Sequence, residues 1–189
     1  RTPGGHERPA PHHGGYRRLM AARTATLWRL AQDWMDLDTG AVLCAAEDFR
    51  CAGRGAAAVG GRWNSVGSMV IYLADSLALA QLEKRVHTPL RPPRDMVAVE
   101  VRLPAAALET AQTPVLPPGW NADNVDWSVG RSASQAIGDA WLDEGAALLL
   151  RVPSVVVPAG WNYLLNPAHA DARKVRTRRV VYRADPRLW

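Results

Sequence analysis

The residues with the most informative chemistry lie in and after a glycine-bounded segment at residues 60–67. Arg62 lies in this segment, Tyr72 follows it in a short apolar run, and Glu83 comes eleven residues after Tyr72. An arginine can hold a phosphate through paired hydrogen bonds, and an aromatic ring can stack on a flat heterocycle. A carboxylate can stabilise a cationic sugar. Together these residue types suit a nucleotide whose glycosidic bond is to be broken.

Hydrophobic patterning predicts the elements that must position these residues. Compact apolar runs predict strands, and the apolar alternation over residues 95–103 predicts a strand with one buried face. The sequence over residues 33–58 predicts mostly loop. Strands are predicted at residues 26–30, 69–73, 95–103, 146–152 with an extended continuation over 155–157, and 179–183; helices are predicted at 76–86, 104–109 and 132–143.

The helix predicted at residues 76–86 has apolar residues at Leu79, Leu82 and Val86. Glu83 lies four residues after Leu79 and three before Val86, so we predict that it shares their inward face. A carboxylate on an inward face needs a hydrogen-bonding partner or a function. A salt bridge at the edge of the helix is the alternative interpretation.

Three more polar residues lie in or after apolar segments, where ligand sites often form. Arg29 lies in the first predicted strand, Ser154 follows a predicted strand, and Asn166 precedes a proline. Each has an ordinary alternative: Arg29 as a structural ion pair, Ser154 as a strand-end hydroxyl, and Asn166 as the start of a turn. With the three residues above, they form a candidate site of six side chains.

The chain has 189 residues, of which 48% are hydrophobic, so we expect one domain with a substantial core. Residues 1–23 have no hydrophobic period and are expected to be a flexible arm or a cloning remnant, with the domain at residues 24–189. The net charge of +5 is concentrated at the chain ends. It fits a solvated basic surface; an anionic ligand, an acidic protein or nucleic acid are the alternatives.

Sequence patterns argue against several classes of protein. The chain has no G-x-G-x-x-G after a strand, no lysine-bearing P-loop and no G-x-S-x-G motif. Cys44 and Cys51 are too few for a disulfide framework and lack zinc-site spacing, so we expect small thiols and no metal. No apolar run approaches the roughly 20 residues of a membrane helix, and no signal segment opens the chain. A cytoplasmic protein without membrane contact is therefore expected.

The candidate residues belong to segments whose order along the chain is informative: Leu27-Trp28-Arg29-Leu30, residues 60–67 with 70–73, the helix that carries Glu83 as far as His87, Trp141-Leu142 with residues 148–150, Val152-Pro153-Ser154, and residues 162–169 and 185–189. In this order they resemble the RES-domain family, the toxin components of Xre–RES bacterial toxin–antitoxin pairs. The resemblance covers roughly residues 27–189. The segment between Arg29 and Gly60, which contains both cysteines, is longer than the family pattern.

This resemblance implies an α/β (α+β) domain like that of ADP-ribosyltransferases, with a central split β-sheet, flanking helices and NAD+ in a cleft. NAD+ is then the substrate, with no separate cofactor. The resemblance also implies cleavage of the nicotinamide–ribose bond by hydrolysis or phosphorolysis. It gives Glu83, Arg62 and Tyr72 catalytic roles, and it gives Arg29, Arg62, Tyr72, Ser154 and Asn166 roles in binding the dinucleotide.

The implied partner is an Xre-family antitoxin that covers the active site. A mono-ADP-ribosyltransferase toxin that modifies a cellular protein is an alternative with the same first chemical step. A basic nucleic-acid-binding module that uses residues 173–183 is a second alternative. Its support is weak because the tryptophans are scattered and form no evident groove for a single strand.

Overall fold

The fold is built on a six-stranded antiparallel β-sheet with helices on its faces. A computed structural model describes residues 23–35, 38–39, 41–49, 51–87, 96–121 and 131–188, so the arm expected at residues 1–23 lies outside the described residues except for Arg23. The strands are β1 (Thr24–Ala31), β2 (Trp34–Met35), β3 (Val42–Cys44), β4 (Ile71–Ala74), β5 (Val97–Pro104), β6 (Leu149–Pro153), β7 (Trp161–Leu165) and β8 (Arg176–Val180); the helices are α1 (Arg54–Val59), α2 (Leu77–His87), α3 (Ala105–Glu109) and α4 (Ala133–Glu144), with 3-10 helices at Ala170–Lys174 and Pro186–Leu188.

The order of the strands places an opening beside β1. The sheet runs β6-β7-β4-β1-β5-β8, and β2 and β3 form a separate hairpin. β1 pairs with β5 along its whole length, from Thr24 opposite Pro104 to Ala31 opposite Val97. β1 pairs with β4 only at Trp28 and Ala74, although both strands continue past this pair. The sheet is therefore split between β1 and β4, and the predicted mixed α/β class is confirmed.

The hydrophobic core is divided between the two faces of the sheet. Because side chains alternate along a strand, the apolar residues of β5 that include Val99 and Val101 point to one face and join the largest cluster. On the other face, α2 packs Leu79 and Ala80 onto the sheet. Beside it, Trp141 of α4 packs onto the residues of β6 and β7. The pocket described below lies at the split of the sheet and is lined by residues from both faces.

The packed face of α2 differs from the prediction at two positions. Leu79 is buried as expected, but Leu82 and Val86 are 39% and 57% exposed. The helix packs through Leu79 and the adjacent Ala80, which rotates its buried stripe away from Leu82 and Val86. Glu83 lies beside this stripe and is half-buried, so the predicted inward position of the carboxylate is confirmed.

Strand β5 is buried on both faces, so the expectation of one buried face is wrong. Glu100 alternates with Val99 and Val101, so a strand with one buried face would leave it exposed, but it is only 5% exposed. Its carboxylate accepts hydrogen bonds from Arg102 Nε at 2.5 Å and from Arg178 Nε at 2.8 Å. Strand β8 places Arg178 directly opposite Glu100. Two cations with hydrogen bonds make this burial possible.

The two cysteines form a disulfide, so the expectation of two thiols is wrong. Cys44 ends β3, and a hydrogen-bonded turn returns the chain so that the Cα atoms of Cys44 and Cys51 lie 6.3 Å apart. Counting cysteines could not reveal this turn. The disulfide closes the segment that leads directly into α1.

Three further differences concern short elements. Residues 33–58 contain β2, β3 and α1 rather than mainly loop, because elements this short give no periodic signal. The extended path predicted at residues 155–157 is wrong, because the chain bends there. Strand β7 was not predicted, and β8 begins three residues before its predicted start.

No helix in the described ranges combines the length and the apolar character needed to span a membrane. A cytoplasmic location stays a prediction, as does the domain boundary at residue 24.

Candidate functional site

A pocket of about 170 Å³ lies where β1 and β4 stop pairing. A Cβ on Gly53 would lie 2.9 Å from the carbonyl oxygen of Val70, and the φ of Gly53 is +95°. Only glycine therefore allows the start of α1 to approach β4 this closely. The pocket is lined from three sides: Arg29 and Leu30 of β1, Val70, Ile71 and Tyr72 at the start of β4, and Gly53, Gly55 and Ala56 at α1.

Arg29 brings a positive charge to this pocket. Its Nη1 is shielded from solvent and has no hydrogen-bond partner in the described part of the chain. Burial lowers the pKa of Arg29 from its ordinary value to about 10, so the guanidinium is still charged at neutral pH. A shielded donor without a partner costs free energy. Arg29 also lines the pocket, so its guanidinium places a positive charge beside any anionic ligand bound there.

Glu83 is held in place by two neutral side chains. Ser154 Oγ donates to Glu83 Oε1 at 2.7 Å, and Asn162 Nδ2 donates to the same oxygen at 2.5 Å. Ser154 Oγ also accepts the backbone N–H groups of Val156 and Val157, which fixes the hydroxyl in turn. These bonds orient the carboxylate without cancelling its charge. The structure therefore brings together two residues predicted from the sequence, Glu83 and Ser154.

The register of the sheet relates Glu83 to the pocket. Asn162 lies opposite Ala74 where β7 pairs with β4, and Tyr72 lies two residues before Ala74. Residues two apart on a strand share a face and lie about 7 Å apart. Glu83, which contacts Asn162, therefore lies on the same face of the sheet as Tyr72 and close to the pocket.

Tyr72 lines the pocket, but its hydroxyl is fully engaged. The hydroxyl donates to Asn64 Oδ1 at 2.8 Å and accepts from the backbone N–H of Trp63 at 3.1 Å. Burial raises the pKa of Tyr72 above its ordinary value. The hydroxyl is therefore poorly suited to proton transfer, and the useful part of Tyr72 is its aromatic ring.

Arg62 and Asn166 do not line this pocket. Arg62 Nη1 donates to the carbonyl oxygen of Trp120 at 3.2 Å. Asn166 is buried, and its side chain accepts from Ala168 N at 2.9 Å and donates to Leu142 O at 3.4 Å. These contacts fit the turn interpretation of Asn166. A dinucleotide-binding role for Arg62 or Asn166 stays a prediction.

Helix α4 packs against the loop that contains Arg62 and forms hydrogen bonds with it. Asp139 accepts from Ser65 Oγ at 2.6 Å and from Ser65 N at 3.0 Å. Burial works against ionisation of Asp139, but the hydrogen bonds from Ser65 outweigh it, so its pKa lies below the ordinary value. A Cβ on Gly138 would lie 1.8 Å from the carbonyl oxygen of Trp63. Glycine therefore lets α4 pack directly on the loop.

Two residues at this site, Asn64 and Asn162, were not predicted from the sequence. Asn64 is completely buried and is bonded to Tyr72. Asn162 reaches Glu83 only because β7 pairs with β4. Asparagine is common in loops and turns, so neither residue stands out by type. The one available signal for Asn64 was its position between Arg62 and Tyr72.

One group of potential metal ligands occurs in the described ranges, and it lies at the disulfide. The ligand atoms of Cys44, Asp48 and Cys51 lie within 4.8 Å of one another. Both sulfurs are bonded to each other, so neither is a thiolate that could bind a metal.

The arrangement of the split sheet, the pocket and the glutamate can be compared with known proteins. A family model described as the RES domain matches residues 26–187. The chain belongs to the RES-domain family. The membership predicted from the order of its sequence segments is therefore confirmed.

Relatives of this RES-domain protein match it over most of their length. A protein of Sphingobium sp. (strain YBL2), named Prs ADP-ribosylating toxin, is 38% identical over 170 residues, which cover 87% of this chain and 97% of the relative. A protein of Pseudomonas putida, named Toxin Res, is 36% identical over 141 residues, which cover 73% of this chain and 92% of the relative.

A solved structure has a similar fold. The crystal structure of the M. tuberculosis MbcT–MbcA toxin–antitoxin complex matches with a TM-score of 0.54 and 17% identity, covering 85% of this chain and 86% of that chain. At this level of identity the likeness shows the fold alone.

Proposed function

We propose that this RES-domain protein is the toxin of a toxin–antitoxin pair and that it cleaves the nicotinamide–ribose bond of NAD+. The observation that carries the proposal is a pocket lined by Tyr72 and by Arg29, whose shielded Nη1 has no hydrogen-bond partner among the described residues. Glu83 lies on the same face of the sheet as Tyr72, and its carboxylate accepts hydrogen bonds from the neutral side chains of Ser154 and Asn162. The toxin names of relatives at 36–38% identity support the same conclusion.

Binding begins with the charged part of the dinucleotide. The Arg29 guanidinium donates to the diphosphate, which supplies an acceptor that Nη1 lacks among the described residues. The Tyr72 ring stacks on the flat nicotinamide. Gly55 in the α1 wall has no atom within 4 Å of the position of a Cβ, so it leaves open space beside the ligand. Arg62 is a second candidate for contact with the diphosphate, from the loop beside the pocket.

Cleavage places positive charge on the ribose. The bond between ribose C1′ and the nicotinamide nitrogen breaks, and its electron pair goes to the ring, which leaves as neutral nicotinamide. The remaining ribose is oxocarbenium-like. The Glu83 carboxylate stabilises this charge. Ser154 and Asn162 keep the carboxylate in its orientation during the reaction.

The acceptor of the ADP-ribosyl group completes the reaction. Water gives free ADP-ribose, and inorganic phosphate gives an ADP-ribose phosphate. A protein side chain is the third candidate acceptor, and one observation favours it: the relative named Prs ADP-ribosylating toxin is 38% identical and is matched over 97% of its length.

The proposed partner is an Xre-family antitoxin that covers the pocket. A protein with a similar fold crystallised in a toxin–antitoxin complex, which supports a partner of this kind. The net charge of +5 favours an acidic docking surface on the partner.

The proposal is tested by incubating the purified chain with NAD+ and separating the products by chromatography. One arm contains buffer alone, one contains phosphate, and one contains cell lysate with radioactive NAD+. Nicotinamide with free ADP-ribose indicates hydrolysis, a requirement for phosphate indicates phosphorolysis, and label on one protein indicates transfer. Intact NAD+ in all three arms would contradict the proposed function.

A further inference from the structure

Asn64 joins two walls of the pocket through one side chain. Its Nδ2 donates to the carbonyl oxygen of Ala56 at 2.9 Å, and its Oδ1 accepts from the Tyr72 hydroxyl at 2.8 Å. Ala56 belongs to the α1 wall and Tyr72 belongs to the β4 wall. Asn64 is 0% exposed and does not line the pocket itself. It therefore contacts both walls without contacting the pocket itself.

The orientation of this carboxamide is determined by its neighbours. Nδ2 donates not only to Ala56 but also to the carbonyl oxygens of Ser65 and Ser68, both at 3.1 Å. Turning the amide over would place its oxygen against these three carbonyl oxygens. The backbone oxygen of Asn64 accepts from Gln135 Nε2 of α4 at 3.2 Å. The residue thus has one arrangement that satisfies its donors and acceptors.

The Tyr72 hydroxyl also has little room to move. A Cβ on Gly61 would lie 2.8 Å from this hydroxyl and 3.1 Å from Asn64 Oδ1. The backbone of the loop therefore packs directly on the hydrogen bond between Tyr72 and Asn64. A side chain at position 61 would push the two groups apart.

We propose that Asn64 is a positioning residue that sets the separation between the α1 wall and the Tyr72 ring. This separation is the width of the slot into which a flat ring of the substrate enters. The inference rests on the proposed function, because the width matters for activity only if a dinucleotide binds between these walls. A wider slot weakens contact with the bound ring and leaves the carboxylate of Glu83 unchanged.

The first test breaks, one at a time, the two hydrogen bonds by which Asn64 connects the walls: its bond to Ala56 and its bond to Tyr72. Asn64→Asp keeps the size of the side chain and the acceptor for Tyr72 but removes both N–H donors. Tyr72→Phe removes the hydroxyl that donates to Asn64 and keeps the aromatic ring. We expect the KM for NAD+ to rise roughly 5- to 10-fold in each, on the scale of one hydrogen bond, with kcat within about twofold. The KM of the double variant should not exceed the higher of the two single-variant KM values, because both substitutions break the same connection between the walls.

The control is Ser65→Ala in the same loop. This variant loses the bond to Asp139 Oδ2 and leaves the side chains of Asn64 and Tyr72 unchanged. It should lower the melting temperature without raising KM. If Ser65→Ala raises KM as much as Asn64→Asp does, loss of loop stability explains both effects and the positioning role is overturned.

A measurement without substrate separates this inference from the proposed function. Hydrogen exchange of the α1 amides, followed by mass spectrometry, should be faster in Asn64→Asp than in the wild type or Ser65→Ala, because the wall loses its tie at Ala56. Unchanged exchange at α1 overturns the inference even if NAD+ binds. Absence of NAD+ binding to the wild type overturns the proposed function, and the exchange result then decides the structural link by itself. If Asn64→Asp does not fold, Tyr72→Phe tests the other hydrogen bond through KM.

Discussion

Glu83 and Glu100 present the same side chain in two different surroundings. Glu100 accepts from Arg102 and Arg178, and hydrogen bonds from these two arginines hold its pKa below the ordinary value. Glu83 accepts from Ser154 and Asn162, which carry no charge. The charge of Glu100 is balanced inside the protein. The charge of Glu83 is oriented but not balanced by these donors, so it can stabilise a cation that forms during a reaction.

The arginines of the two regions differ in the same way. Arg178 and Arg102, at the edge of the sheet, are more than half exposed and pair with Glu100. Arg29, in the pocket, has a shielded Nη1 without a partner in the described ranges. Ion pairs at the edge are satisfied and stabilise the fold, whereas an unsatisfied donor in the pocket costs stability. A protein keeps a destabilising group of this kind where a ligand supplies the missing hydrogen-bond acceptor.

The largest expected effect is the loss of turnover in Glu83→Gln. Glutamine keeps the size and the acceptor for Ser154 and Asn162 but removes the negative charge. We expect turnover of NAD+ to fall by about 100-fold or more, on the scale of removing one key electrostatic group. Affinity for NAD+ should change less. The rate of nicotinamide release, followed by chromatography, measures this effect.

Glu100→Gln is the matched control for that variant, since it makes the same chemical change in the other region. Its turnover should equal that of the wild type. Equal losses of turnover in the two variants would remove the distinction between the two glutamates.

The next effect concerns the support of the pocket wall. The Cys44–Cys51 disulfide closes the segment before α1, and no disulfide supports the β5–β8 edge among the described residues. Replacing both cysteines by alanine should lower the free energy of unfolding by about 2 kcal/mol, the value expected for a short closed loop. Urea denaturation measures the change. A dithiol reductant should destabilise the wild type equally and leave the double variant unaffected; equal stability of wild type and variant would show that the disulfide contributes nothing.

The smallest effect is the pH dependence of the Glu100 ion pairs. Because the folded-state pKa of Glu100 is lowered by Arg102 and Arg178, its contribution to stability is present above the ordinary value of 4.5. That contribution is lost as the pH falls through the lower folded-state pKa. The wild type should therefore be more stable than Glu100→Gln at pH 7, by less than the disulfide contributes, and the difference should shrink at low pH. A difference that is constant between pH 7 and pH 3 would contradict this account.

Residue type, segment order and family resemblance were enough to predict several features of the molecule. They predicted the mixed α/β class, the strand that contains Arg29 and the helix that carries Glu83. They also predicted that Glu83 and Ser154 lie close together. These features depend on local patterns of apolar residues and on chemistry that few residue types share. The inward position of Glu83 followed from helical spacing even though Leu82 and Val86 proved to be exposed.

The features that were not predicted depend on contacts between distant segments. Asn162 reaches Glu83 only through the pairing of β7 with β4, and the buried state of Glu100 requires Arg178 from β8. The disulfide depends on a turn whose geometry the cysteine count does not contain. The lack of a partner for Arg29 Nη1 among the described residues depends on which distant side chains surround it in the fold. No local sequence pattern encodes these distances.

Arg29 Nη1 has no hydrogen-bond partner among the described residues, and we propose that a dinucleotide in the pocket supplies one. The most direct test is Arg29→Met, which keeps much of the side-chain length and removes the charge. Melting temperature is measured on the single variant, and NAD+ affinity is measured by calorimetry in the Glu83→Gln background so that the substrate is not consumed. We predict a higher melting temperature and an affinity lower by about tenfold or more, on the scale of one hydrogen bond to a charged group. A lower melting temperature with unchanged affinity would contradict the account.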